Sequence, residues 1–368
     1  MFDVVIPSAA TAFIIAFVVG IVLMRMRAPI EGIGRDRKDA SAIQASHVGE
    51  PLRLGGVAVF AGLLIGSVLL SDHSSGEFTI RLLLATTPVF LAGLAEDLGY
   101  FVSPVGRFIA SLFSAALAIA LLGIWIQEPD LPGLGAVFST PLVAIAITVL
   151  FAGFYCHSVN LIDGMNGLSS VVVISSALGI AVVAADADLG QISALSLLLA
   201  AAMAGFLLLN WPRSFLFLGD AGAYGVGHVL VWLAIGLGEL APDTSTASIL
   251  LILFWPLADT LHTIFRRLFA GQSVLKPDRM HLHQKIRRGL EIAVIGVGKR
   301  ERSNPVTTLL LVPMTAMPVI AGVYLKDNVT LAWLALGAFA VAFSITHVAI
   351  TAAVRSRRLR GGDPGDPD

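Results

Sequence analysis

The segment LVAIAITVLFAGFYCHSVNLIDGMNGL, Leu142–Leu168, changes character at Asn160: almost every residue before it is apolar, and after it come an aspartate, a second asparagine and two glycines. An apolar run of roughly 20 residues is what a helix needs to cross the hydrocarbon core of a bilayer. Polar and ionisable residues near that boundary are costly and usually functional. The segment therefore predicts a membrane-spanning helix that ends in a site.

The rest of the chain repeats the first half of that pattern. Of its 368 residues, 56% are hydrophobic and 13% charged, and the mean hydropathy of +0.85 excludes a water-soluble fold. The expected fold class is all-α, a polytopic integral membrane protein with about 11 transmembrane helices. The candidate segments lie near residues 4–24, 54–71, 81–95, 107–126, 141–158, 168–185, 191–210, 222–240, 246–265, 306–325 and 329–352. Several are short or contain Gly and Pro, so a broken or tilted helix changes the count by one. Residues 1–352 form a single transmembrane catalytic domain, and residues 353–368, with RSRRLRGGDPGDPD, read as a basic, disordered tail. The first segment lacks a basic start and a small-residue cleavage site, which predicts a retained helix. Cys156 is the one cysteine, so no internal disulfide forms.

Charge sets the expected orientation, because Lys and Arg gather in cytoplasmic loops. With the N-terminus periplasmic and the C-terminus cytoplasmic, the inner side holds 22 of the 24 basic residues and leaves only Arg81 and Lys326 outside. The polar, glycine-rich stretches fall on the same inner side: HVGEPLRLGG, AEDLGYFVSPVGR, HSVNLIDGMNGL, NWPRSFLFLGDAGAYG and the long basic segment through PDRMHLHQKIRRG. A shared active site on the cytoplasmic face is the economical explanation. A transporter also buries polar residues among many helices, but its sites lie near the bilayer midplane, and no inverted repeat is visible in this chain.

Asp220, Asn160 and Asp163 supply hard oxygen donors suited to Mg2+, with Mn2+ as a substitute, and no zinc-type set of cysteines exists. Arg279, His281 and His283, with Lys276 nearby, form a cluster able to neutralise phosphate charge. A cation on one side and a basic clamp on the other is the apparatus of phosphoryl transfer. Gly164 and its neighbours let backbone approach a nucleotide, although glycine in membrane helices also serves packing. Asp259 and His262 either support the site or serve their own helix.

With those motifs in their order and on their side, the chain resembles the polyprenyl-phosphate N-acetylhexosamine-1-phosphate transferase family over nearly its whole length, from HVGEPLRLGG to DRMHLHQK. The resemblance implies an acidic pair at Glu96 and Asp97, with Asp97 the preferred catalytic acid, and a basic partner at Arg107. It implies a metal held by Asp220 and Asn160, a uracil read by Asn166 and stacked on Phe217, and a less settled role for Asp163. Asp278–His283 matches the segment that closes over the diphosphate and sugar. Three departures stand out: Glu96 where an Asp is usual, Asn166 where many members have Asp, and Gln284 where some relatives have a third His. The last sets the chain apart from the branch that transfers phospho-N-acetylmuramoyl-pentapeptide. The implied reaction moves a sugar 1-phosphate from a UDP-linked N-acetylated sugar to undecaprenyl phosphate and releases UMP, for lipid-linked envelope polysaccharide. Partners are therefore the nucleotide sugar, undecaprenyl phosphate and membrane lipid, with no nucleic acid; dimers occur in the family, so a homodimer is compatible.

Overall fold

The computed structural model describes residues 2–26, 52–70, 73–273, 278 and 280–361. Among these residues it is helical, with no named strand. The helices are α1 (Phe2–Arg25), α2 (Gly55–Val68), α3 (His73–Asp97), α4 (Pro104–Leu122), the short α5 (Gly135–Phe138), α6 (Pro141–Ile162) and α7 (Leu168–Asp186). There follow α8 (Gly190–Asn210), α9 (Gly219–Leu240), α10 (Thr246–Ile252), α11 (Phe254–Phe269), α12 (Leu282–Leu290), a π-helical turn at Glu291–Ile295, α13 (Arg300–Tyr324) and α14 (Val329–Gly361). The chain is an all-α, polytopic membrane protein.

Nine of the described helices are long and apolar enough to cross a membrane. The two remaining expected segments differ from simple spans, each for a local reason. Around residues 54–71 the helix is the 14-residue α2, which at about 1.5 Å per residue falls short of the ~30 Å core. Around 246–265 the span is broken into α10 and α11, bent by 87°. Pro256 has no N–H to give the carbonyl of Ile252 four residues back, and the Ser176 hydroxyl of α7 donates to that carbonyl instead, at 2.7 Å. At the C-terminus, α14 runs on to Gly361, so the first part of the expected tail is helical; residues 362–368 lie outside the described ones.

The axis of the bundle is α9. Its apolar window is 94% buried, against 11% for α14 at the periphery. Gly222 and Gly225 let α2 and α3 pack closely on α9, and Gly227, on the opposite side, does the same for α6. The end of α3, the start of α4, the end of α6 and the start of α9 meet, because Asp97, Arg107, Asn160 and Asp220 touch one another there. One end of the bundle thus collects the polar ends of four helices.

Candidate active site

The site is built on the start of α9. Phe217 N donates to Leu52 O at 2.9 Å, and Gly55 and Gly56 donate to Phe217 O and Leu218 O, both at 2.7 Å. This short pairing holds the start of α2 beside the chain that enters α9. Gly219 then turns with φ +76°, and a Cβ there would stand 2.1 Å from Arg53 O and 2.6 Å from an Asp97 oxygen. Only glycine fits. On α3, Gly93 lets the helix lie against Ala221, whose nitrogen a Cβ at position 93 would approach to 2.5 Å. One turn further on, Asp97 arrives at the first turn of α9.

Asp97 is 4% exposed and uses both carboxylate oxygens on that turn: Asp220 N donates to Oδ1 at 3.0 Å and Ala221 N to Oδ2 at 2.8 Å. A carboxylate satisfies two amides that a helix start leaves unpaired and faces the positive end of the helix dipole. Arg53 Nε lies 3.4 Å from Asp97 Oδ1, while its Nη2 donates to Asp220 Oδ1 at 2.8 Å. Asn160 Nδ2 donates to the same Asp220 oxygen at 3.2 Å, and Arg107 Nη1 donates to the other. Asp220, 5% exposed, is thus wrapped by two guanidiniums and an amide. Beneath it, the His157 ring lies between Phe108 and Tyr224, with centroids 5.4 Å and 4.8 Å away.

Asp97 belongs to the site, and there its carboxylate fastens α9 through one hydrogen bond to each oxygen. Glu96 turns to the loop that follows α3 and accepts from Val102 N at 2.8 Å. Asn166 is a brace: Nδ2 donates to Pro212 O at 2.9 Å, Asn304 Nδ2 lies 3.4 Å from its Oδ1, and Thr308 donates to its carbonyl at 2.6 Å. The amide expected to read uracil thus faces Pro212 and Asn304. Phe217 is 8% exposed, and its backbone pairs with Leu52 and Gly55 at the entry to α9. Gly164 lies in the turn between α6 and α7. Asp163, in the same turn, accepts from Ser169 Oγ at 2.5 Å, and enclosure pushes its carboxyl up to about 7 against the lowering pull of that hydroxyl.

A second polar cluster gathers the late histidine motif. Asp259 of α11 accepts from His281 Nδ1 at 2.8 Å and from Leu282 N at 3.0 Å. Burial opposes charge on His281, but the Asp259 carboxylate overrides it and holds the imidazole above its ordinary value. Burial pushes His283 down to about 4. Of the pair, His281 is the one whose surroundings favour the protonated ring. Asp278 pairs with Arg266 and lies 3.9 Å from Arg267 Nη1. Lys276 and Arg279 lie outside the described residues.

Among the described residues no three His, Cys, Asp or Glu side chains converge as a metal cage. The residues at the start of α9 nevertheless fit a magnesium ion, which brings waters and phosphate oxygens and asks the protein for one or two oxygen ligands. Asp220 and the Asn160 carboxamide are hard donors, and the guanidiniums gathered on Asp220 show that this carboxylate attracts positive charge. Arg53 is the site residue that motif reading misses. Its signal was a lone Arg ahead of the paired glycines in PLRLGG, and nothing in the sequence brings residue 53 to residue 220.

The family described as glycosyl transferase family 4 matches residues 79–238, which include Asp97, Arg107, Asn160 and Asp220. A Bacillus subtilis protein named a probable undecaprenyl-phosphate N-acetylglucosaminyl 1-phosphate transferase is 29% identical over 64% of this chain and 65% of its own length, just under two thirds of that protein. A Mycobacterium tuberculosis decaprenyl-phosphate N-acetylglucosaminephosphotransferase is 24% identical over 88% of the chain and 82% of its own. An undecaprenyl-phosphate alpha-N-acetylglucosaminyl 1-phosphate transferase of Yersinia pestis is 25% identical over 85% and 84%. Residues 79–238 of the chain thus match glycosyl transferase family 4, and the chain is similar over most of its length to polyprenyl-phosphate N-acetylglucosamine-1-phosphate transferases.

Proposed function

We propose that the protein transfers N-acetylglucosamine 1-phosphate, or a closely related N-acetylhexosamine 1-phosphate, from its UDP conjugate to undecaprenyl phosphate, with UMP as the second product. The observation that carries this reading is Asp220 at the positive end of α9, flanked by Arg53, Arg107 and Asn160. In the reaction an oxygen of the lipid phosphate bonds to the phosphorus that bears the sugar, and the bond from that phosphorus to the bridging oxygen of UMP breaks. Two anions must meet, so the residues have mostly charge to manage. Arg53 and Arg107 can present guanidinium N–H groups to phosphate oxygens, and the N-terminus of α9 adds fixed dipoles. Magnesium, or manganese in its place, would be held by Asp220 and Asn160 and would neutralise charge on the diphosphate. The second pKa of a phosphate monoester is about 6, so the lipid nucleophile is already ionised at neutral pH. No general base is needed, in keeping with the fastening role of Asp97. We place this end of the bundle at the cytoplasmic face of the inner membrane, on the charge bias of the loops.

The test is a membrane fraction supplied with radiolabelled UDP-N-acetylglucosamine, undecaprenyl phosphate and Mg2+. Labelled lipid and released UMP are expected, both lost in Asp220→Ala and on chelation. Solute uptake without lipid labelling would point instead to a transporter.

A further inference from the structure

The last helix reaches into the histidine segment through residues that no motif contains. His347 of α14 is 3% exposed, with Nε2 3.0 Å from Met280 O and Nδ1 3.1 Å from Lys285 Nζ. Lys285 also donates to Thr351 Oγ1 at 2.7 Å, and that hydroxyl donates to the His347 carbonyl at 2.8 Å. The His262 ring of α11 lies 4.0 Å from the His347 ring. The chemistry fixes the state of the imidazole: an ammonium can only donate and a carbonyl can only accept. His347 therefore carries its proton on Nε2 and offers a lone pair at Nδ1, which only the neutral ring does. On the opposite side Asp259 holds His281 Nδ1 and Leu282 N. The residues from Met280 to Lys285 are thus pinned between α11 and α14.

We propose that His347 is a positioning residue, a latch by which α14 fixes the Met280–Lys285 segment and so the placement of His281 against Asp259. The link to turnover rests on the transferase reading; the latch itself does not, and the experiment separates the two. Cys156 is the one native cysteine and is buried, so in Met280→Cys protein the introduced thiol reports on the segment alone. Adding His347→Phe keeps a ring against His262 and removes both hydrogen-bonding groups; maleimide labelling at position 280 is expected to accelerate about tenfold. In the transfer assay the same change is expected to lower kcat about tenfold while leaving KM for the UDP-sugar within about threefold, because the donor still binds but the segment is misplaced. His347→Gln offers a donor and an acceptor at similar reach, and is expected to restore both readouts. Thr351→Val, nearly isosteric, loosens Lys285 without touching the imidazole and is expected to shift labelling in the same direction, which covers the case in which His347→Phe does not fold. Faster labelling in a protein that transfers no sugar phosphate supports the latch and overturns the reaction instead. Labelling at the unsubstituted rate in folded His347→Phe and Thr351→Val, or failure of His347→Gln to restore it, would overturn the latch.

Discussion

Asp97 and Asp220 are both carboxylates within one small volume, yet their partners assign them different work. Asp97 faces amide hydrogens and Asp220 faces side-chain cations. Asp97→Asn keeps one acceptor and sets an NH2 group against a backbone N–H, so a loss of about 1–3 kcal/mol is expected in denaturation. Its residual transfer activity is expected to follow the unsubstituted pH profile in shape; a missing acidic limb, the rise in rate as the carboxyl ionises, would instead mark Asp97 as a base. Arg53→Ala is expected to lower kcat by about 10²-fold, and Arg53→Lys to recover little of it, because an ammonium cannot bridge two carboxylates as a planar fork does. His281 gives a third expectation, in melting temperature against pH. Its pKa is raised in the folded protein by Asp259, so the pair's contribution is complete below the ordinary histidine value of about 6.5 and disappears as pH rises through the raised one. The stability gap between the unsubstituted protein and Asp259→Asn is therefore expected to be widest in mild acid and to narrow in alkali.

Among the elements, the start of α9 is the one with no room for variation. Gly219→Ala places a methyl group 2.1 Å from Arg53 O at φ +76°, and a left-handed turn alone costs an L-residue about 1–2 kcal/mol. Loss of transfer activity with the helical circular dichroism retained is the expected result. Helices were the most legible feature of the sequence, since an apolar run of sufficient length can satisfy its backbone in lipid in few other ways. What the sequence withheld were local exchanges of hydrogen-bond partners. Pro256 was visible, but that Ser176 would take over the Ile252 carbonyl and stabilise an elbow was not. The same limit explains Asn166, whose residue type suits base reading and whose surroundings make it a brace between Pro212 and α13. Motifs name side chains, and the partner that decides each role comes from a distant helix.

Across the whole molecule, charge and chemistry are sorted by end. The basic residues cluster in the loops that join the site-bearing helix ends, while the opposite loops are acidic or neutral. In intact cells a membrane-impermeant maleimide is expected to label Asp243→Cys directly, and Gln272→Cys only after permeabilisation; the reverse pattern would put the Asp220 end outside. The sidedness of the polar stretches was readable from one sequence because each stretch borders its own apolar run. Their convergence on Asp220 was not, since it depends on how closely α3, α4 and α6 approach α9. The pairing of residues 52–56 with 216–218 has a further consequence, for biosynthesis. Its two halves lie at opposite ends of a long stretch of chain, and the second half carries the Asp220 turn. As the protein emerges from the ribosome, the early helices can insert while the reactive centre stays unassembled, and a product truncated before Leu216 would be membrane-bound but inert.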